Sequence, residues 1–110
     1  MAYDEDLANR IREVVQGEQG VTEKRMFGGL AFLINGNMAV SASGQGGLLV
    51  RIDPDETDAA LADAHVSLME MGGRSMAGWI RVAPEGLTTE RGLAPWVERG
   101  VAYAKTLPPK

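Results

Sequence analysis

The chain has 110 residues, of which 45% are hydrophobic and 24% are charged, a composition typical of one folded domain with its own core. It contains no cysteine, which excludes disulfides, thiolate catalysis and cysteine-based zinc sites and agrees with a cytoplasmic protein. No apolar run approaches the ~20 residues that span a bilayer. With a net charge of −4, the chain lacks the overall positive field that drives nonspecific nucleic-acid binding. We therefore expect a single domain over residues 1–110 that binds neither membrane nor, directly, nucleic acid.

The first predicted element is an amphipathic helix over residues 4–16. Leu7, Ile11, Val14 and Val15 recur at helical spacing and predict one apolar stripe. Asp4 is suited to cap the helix, since its carboxylate accepts hydrogen bonds from the first free backbone N–H groups. The acidic residues at the start of the chain are therefore interpreted as stabilising the N-terminus of this helix rather than as a surface that binds a partner.

An antiparallel meander is predicted around Asn35-Gly36, a dipeptide that suits a type I′ turn because both central residues need positive φ. Residues 21–27 are predicted to be extended, and Gly28-Gly29 permits a bend before a strand over residues 30–34. Simple alternation in the returning strand assigns one face to Met38, Val40 and Ala42 and the other to Ala39, Ser41 and Ser43. A further strand over residues 48–52 alternates in the same way, and the apolar face of the sheet requires a covering helix.

The second half of the chain predicts a short helix over residues 55–64, two strands over 66–71 and 79–83, and a final helical region over 87–107. Asp53 is the expected cap of the short helix, with Pro54 at its first position. Thr88 or Thr89 is expected to cap the final helix, and Pro95 predicts a short turn before it or a kink. The buried stripe of that helix is predicted to contain Leu93, Trp96, Val97, Val101, Ala104 and Leu107.

These elements predict an α+β fold with two layers, an antiparallel sheet with helices in the order α-β-β-β-α-β-β-α. No internal repeat or low-complexity linker interrupts this order.

Catalytic signals are weak throughout the sequence. His65 is the single histidine, which excludes a histidine pair for metal binding and favours a surface loop residue. Three glycine-rich stretches lack both the Walker and the dinucleotide-binding spacing, so bends and hairpin loops are the favoured interpretation. We therefore expect no catalytic residue, no metal and no cofactor.

Cationic side chains offer the clearest candidate for a binding surface. Five of them fall on predicted strands or loops, where one sheet face can collect them against an acidic partner or phosphate. The competing interpretation is a solvated face with modest ion pairs to Glu23 and Glu70. A cluster of Met69, Met71, Met76 and Trp79 suggests an interface if it is exposed. The candidate interaction surface comprises Lys24, Arg25, Arg51, Arg74, Trp79 and Arg81.

A family resemblance rests on an ordered set of short motifs that extends over nearly the whole chain. Lys24-Arg25-Met26-Phe27-Gly28-Gly29 precedes an apolar strand and then Asn35-Gly36-Asn37-Met38, Leu49-Val50-Arg51, Gly78-Trp79, Trp96-Val97 and Leu107-Pro108. With these motifs the chain resembles the N-terminal domain of the TfoX family of competence regulators. The resemblance implies a fold like that of secretion chaperones and no known catalysis. Full-length family members act with the cyclic-AMP receptor protein and carry a second, C-terminal helical domain; because this chain ends at Pro108-Pro109-Lys110, we expect a stand-alone domain.

Three hypotheses about function follow. The leading one is a non-enzymatic, regulatory protein-interaction domain that acts through a protein partner, with self-association as a further expectation. The second is direct nucleic-acid binding through a local basic patch, which requires the cations to share one face. The third is an enzyme or small-ligand binder that uses His65 and Glu70, which requires a pocket that brings His65 close to a carboxylate or ligand.

Overall fold

The computed structural model describes residues 3–26, 28–44, 46–71 and 74–109, without the side chains of 70, 71 and 74–77. The main helices are α1 (Glu5–Val15), α2 (Thr57–Ala60) and α3 (Glu90–Lys105), with short 3₁₀ turns at Pro54–Glu56 and Pro84–Leu87. The strands are β1 (Val21–Met26), β2 (Gly29–Ile34), β3 (Asn37–Ala42), β4 (Leu48–Arg51), β5 (Val66–Met71) and β6 (Arg74–Val82).

All six strands form one antiparallel sheet in the order β1-β2-β3-β4-β6-β5. The predicted α+β class is confirmed. Residues 21–26, which the sequence predicts only as extended, form a full strand at the edge of the sheet, so four strands precede α2. Within the described ranges, no helix is long and apolar enough to cross a membrane.

Helix α1 begins where the sequence predicts. The Asp4 carboxylate accepts hydrogen bonds from the backbone N–H groups of Asp6 at 2.9 Å and Leu7 at 3.2 Å. These bonds satisfy donors that have no partner inside the helix, an arrangement that stabilises a helix by about 1 kcal/mol. Leu7, Ile11 and Val15 are buried, so the predicted stripe faces the core.

The central hairpin has the predicted turn but not the predicted alternation. Asn35 and Gly36 both have positive φ, 52° and 86°, as a type I′ turn requires. The register between β2 and β3 shifts after Phe32, so Ala39 forms a β-bulge. Ala39 and Val40 consequently both face the main core and Met38 faces the other side, whereas simple alternation groups Met38 with Val40.

The segment between β4 and β6 also departs from its prediction. Asp53 caps this segment as expected, accepting from the Asp55 N–H at 2.9 Å, but a 3₁₀ turn and a four-residue α2 replace the predicted helix over residues 55–64. The buried Thr57 hydroxyl donates to the Pro54 carbonyl and accepts from the Gly78 N–H, so it ties this turn to β6. Strand β6 begins at Arg74, and residues 74–78 are therefore strand rather than a glycine-rich loop. Residues 72 and 73 of that predicted loop lie outside the described residues.

Helix α3 covers the sheet and fits it closely at one glycine. Thr89 is the cap, accepting from the Gly92 N–H at 3.1 Å, and the helix continues through Pro95 without interruption. A Cβ at Gly100 would lie 2.6 Å from the Ala39 carbonyl oxygen, so α3 and β3 approach too closely for any side chain there. Leu93, Val97, Gly100, Val101 and Ala104 are buried, whereas the predicted Trp96 and Leu107 are partly exposed.

The sheet has an apolar cluster on each side. The main core joins α1 and α3 to one face and contains the largest buried side chains, with Phe32, Ile11, Ile34 and Leu48 among them. Burial of each such side chain contributes roughly 1.5–3 kcal/mol. The smaller cluster on the opposite face comprises Met26, Ala31, Leu33, Met38, Leu49, Met69 and Trp79.

Candidate interaction site

A row of strand residues crosses the sheet face opposite the helices, here termed the second face. The strand registers place its members side by side from β1 to β5, with Lys24 near one end and Arg81 near the other. Their order across the sheet is Lys24, Ala31, Ser41, Leu49, Arg81 and Ser67. Because residues directly opposite in neighbouring strands share a face, Lys24 and Arg81 lie on the same side of the sheet.

Arg51 belongs to the same face and is held by aromatic rings. It lies directly opposite Trp79 in the β4–β6 pair, and its Cζ is 5.1 Å from the centroid of the Trp79 ring. The same carbon is 5.8 Å from the Tyr103 ring. A guanidinium at these distances is attracted to the negative faces of both rings. The strand registers therefore place Lys24, Arg51 and Arg81 on the second face, with Arg51 at its border, because it is the last residue of β4 and also contacts Tyr103 of α3. The described strand residues of that face include no acidic residue.

Arg81 fixes the loop that joins β3 to β4. Its Nη1 donates to the Ser43 Oγ at 3.1 Å and to the Gly46 carbonyl at 2.9 Å. Gly46 and Gly47 both have positive φ, and a Cβ at Gly47 would lie 2.5 Å from the Val82 carbonyl oxygen. This glycine-rich stretch is thus a tight connection anchored on a half-buried arginine, in agreement with its interpretation as a hairpin loop.

Arg25 lies on the other side of the sheet from Lys24. It is directly opposite Leu30, a residue of the main core, and it is exposed at the β1 edge. The strand register therefore places Lys24 and Arg25 on different faces of the sheet, and their shared role in an interaction surface stays a prediction. Adjacent strand residues point to opposite faces, and β1 has no bulge to bring them together.

Glu23 forms its ion pair with a residue of helix α1 rather than with the neighbouring strand cations. Arg12 of α1 donates from Nε to Glu23 Oε2 at 2.8 Å and from Nη2 to Oε1 at 2.7 Å. This bidentate hydrogen bond holds the pKa of Glu23 below its usual range, against a smaller opposite effect of burial. The bridge ties α1 to the edge strand on the helix side of the sheet.

The predicted methionine patch is only partly within the described side chains. Met69 is buried and Trp79 is half-buried, so these two residues do not form a large exposed apolar patch. The side chains of Met71 and Met76 lie outside the description. Arg74 starts β6 opposite Met71, and its side chain also lies outside the description, as does that of Glu70.

His65 lies on an exposed turn before β5. Its Nδ1 is 3.6 Å from Asp63 Oδ1, beyond hydrogen-bond distance, and the same oxygen accepts from the His65 backbone N–H at 2.9 Å. The aspartate thus shapes the turn as in an Asx motif. The arrangement does not give His65 the partner that general acid–base catalysis requires.

A shallow groove of about 390 Å³ runs beside the end of α3 and does not include His65. Its charged groups are engaged within the chain, since Arg99 donates to Glu56 at 3.0 Å and Asp53 caps the adjacent turn. Among the described residues, no group of three or more histidine, aspartate or glutamate side chains is placed to hold a metal ion.

Two residues that hold this part of the fold together carry no sequence signal for their contacts. Asn37 is buried and donates from Nδ2 to the Pro108 carbonyl at 2.9 Å, which fastens the segment after α3 to the central hairpin. Tyr103 completes the aromatic contacts of Arg51. Both contacts join residues distant in sequence and have no local signal, although the Asn35-Gly36-Asn37 motif does mark the hairpin itself.

Taken together, the fold and the site define a small α+β domain with one helix-covered sheet face and one face that presents cations around an apolar cluster. The family model described as the TfoX N-terminal domain matches residues 13–104. The chain belongs to the TfoX N-terminal domain family. A search of curated proteins gave no match.

Proposed function

We propose that this chain is a non-catalytic, cytoplasmic interaction domain that binds an acidic segment of a regulatory protein partner on its second face. The observation that carries the proposal is the placement of Lys24, Arg51 and Arg81 on one face whose described strand residues include no acidic residue. The rest of the chain is predominantly acidic, with a net charge of −4 overall. Charge separation of this kind steers an acidic partner toward one side of the molecule.

The chemistry of the second face supports an acidic protein over a nucleic acid. Lys24 is exposed, whereas Arg51 is stacked on rings and Arg81 is bonded to the β3–β4 loop, so the cations are few and two are fixed in place. Tight binding of a phosphate backbone uses many cations at once. A short acidic segment needs only a few such contacts beside the half-buried Met26, Leu33 and Trp79.

The test is a fluorescence anisotropy titration of the protein into labelled poly-L-glutamate and, separately, into a labelled DNA duplex. We expect saturable binding to poly-L-glutamate that weakens with added salt. Lys24→Glu should weaken it about fivefold, since it replaces an exposed cation of the second face with a charge of the same sign as the probe. The matched control is Arg91→Glu, an equal charge change at an exposed residue of α3.

Each outcome of the titration decides between the hypotheses. Equal losses in Lys24→Glu and Arg91→Glu would attribute binding to net charge alone and contradict a role for the second face. Salt-sensitive binding to the duplex without binding to poly-L-glutamate would favour the nucleic-acid alternative. Binding to neither probe would overturn the proposal.

A further inference from the structure

Strand β1 is an edge strand whose outward backbone groups can be assigned residue by residue. Within the described part of the chain, its neighbour in the sheet is β2 alone, and its four central residues are exposed. The Asn35 N–H donates to the Gly20 carbonyl at 3.0 Å, in register with the β1–β2 ladder. Hydrogen-bonded pairs alternate along an antiparallel ladder, so Thr22, Lys24 and Met26 bond inward to β2. Val21, Glu23 and Arg25 direct their N–H and C=O groups outward.

We propose that a second copy of this chain pairs with that edge, β1 against β1 in antiparallel orientation, and joins the two six-stranded sheets into one. An exposed row of backbone donors and acceptors is a template for a further strand. A two-fold axis makes the contact isologous, so each contact occurs twice. The oligomer therefore closes at two copies.

The charges of β1 select one register for this pairing. Outward residues must face outward residues, so Glu23 can lie opposite the partner's Val21, Glu23 or Arg25. Pairing with Val21 joins no charges, and pairing with Glu23 joins like charges. The Glu23–Arg25 register creates two opposite-charge pairs, and each of these pairs exchanges both of its backbone hydrogen bonds. Glu23 can accept from Arg12 and the partner's Arg25 together, because a carboxylate has about four acceptor positions.

The same register fixes the arrangement of the two copies. Glu23 and Arg25 both lie on the helix side of the sheet, since they are opposite Phe32 and Leu30 of the main core. Residues directly opposite across the new interface share a face, so the helices of both copies lie on one side. Lys24 lies opposite the partner's Lys24 on the second face. That like-charge contact opposes association and makes the dimer weak, with a Kd of about 10–100 µM.

The test is a pair of charge-reversed chains studied by sedimentation velocity. Arg25→Glu alone and Glu23→Arg alone each create two like-charge pairs in a homodimer and should raise the Kd about tenfold or more. Mixed in equal amounts, the two variants restore both opposite-charge pairs and should form a heterodimer with nearly the wild-type Kd. Circular dichroism of each variant shows that it is folded, a needed control because Glu23→Arg also removes the bridge to Arg12.

Two further readouts depend on the register rather than on charge alone. Lys24→Thr should lower the Kd about threefold by removing the like-charge contact. Amide hydrogen exchange at Val21, Glu23 and Arg25 should slow with rising protein concentration, while Thr22 and Lys24 remain protected throughout. A wild-type chain that stays monomeric to about 1 mM would overturn the proposal. A dimer that the mixed variants fail to restore, or that leaves those three amides unprotected, would also overturn it.

Discussion

Arg51 is a charged residue whose position is set by aromatic rings rather than by a carboxylate. Its guanidinium lies 5.1 Å from the Trp79 ring and 5.8 Å from the Tyr103 ring, so it joins β4, β6 and α3. Arg51→Lys keeps the charge but loses the planar stacking group, and we expect it to lower the free energy of unfolding by about 0.5–1 kcal/mol. Urea unfolding measures this loss. Tyr103→Phe is the control, because it keeps the ring; an equal loss in that variant would contradict the stacking explanation.

Glu23 makes the stability of the chain depend on pH through its bridge to Arg12. Its pKa is lowered by the folded state from an ordinary value of 4.5, so the stabilisation is present above that pH and is lost as pH falls through the folded-state pKa. Both side chains are partly exposed, and solvent limits the effect. We expect Glu23→Gln to cost about 0.5 kcal/mol at pH 7 and nothing once the pH is well below the folded-state pKa of Glu23.

Thermal unfolding of wild type and Glu23→Gln across this pH range, at low protein concentration, gives the measurement. Glu13→Gln is the matched control, an exposed carboxylate on α1 for which the described structure shows no ion pair. A constant difference between wild type and Glu23→Gln at all pH values would contradict the linkage.

Single residues also mark the limit of prediction from this sequence. Local chemistry was sufficient for the helix caps Asp4 and Asp53 and for the Asn35-Gly36 turn, because each depends on neighbours in the chain. The partners of Glu23 and Arg51 depend on elements brought together by folding. Several cations lie near Glu23 in the sequence, but in the folded chain its partner is Arg12, eleven residues away.

At the scale of elements, the packing of α3 on β3 depends on the missing side chain of Gly100. Glycine inside a helix is ordinarily about 1 kcal/mol less favourable than alanine. Here a Cβ would lie 2.6 Å from the Ala39 carbonyl oxygen and 2.8 Å from Val40 Cγ1, and the sheet backbone cannot move away cheaply. We therefore expect Gly100→Ala to destabilise the chain by about 1–3 kcal/mol.

Gly17→Ala is the matched control for this prediction, because a Cβ there meets nothing within 4 Å and its φ is not positive. We expect that change to be close to neutral in the same urea unfolding experiment. A Gly100→Ala chain as stable as wild type would show that α3 can shift on the sheet.

The helices and strands were predictable wherever the apolar residues recur at a clear helical or strand spacing, or where a helix cap is clear. Helix α1 and strands β2, β4 and β5 follow their apolar patterns closely. The β-bulge at Ala39 was not predictable, because no local signal marks it, and the close approach of Ala39 to Gly100 exists only in the folded chain. The shortened α2 follows from Thr57, whose hydroxyl bonds fix a tight turn against Gly78.

At the scale of the whole molecule, the proposed dimer would place the second faces of two copies side by side in one sheet. A long acidic chain that reaches both faces then gains an effective concentration for its second contact. We expect long poly-L-glutamate to bind an equimolar mixture of Arg25→Glu and Glu23→Arg chains more tightly, by about tenfold, than either variant alone.

The comparison separates avidity from charge. The mixture has the average net charge of its components, so a gain over both separate variants cannot come from charge alone. Short poly-L-glutamate, which cannot span two faces, is the control and should bind the mixture with an affinity between those of the two variants. Anisotropy titrations at one salt concentration measure both probes, since screening changes every ionic contact. An equal gain for the short and long probes would contradict the bridging of two second faces, because only the long chain can engage both copies at once.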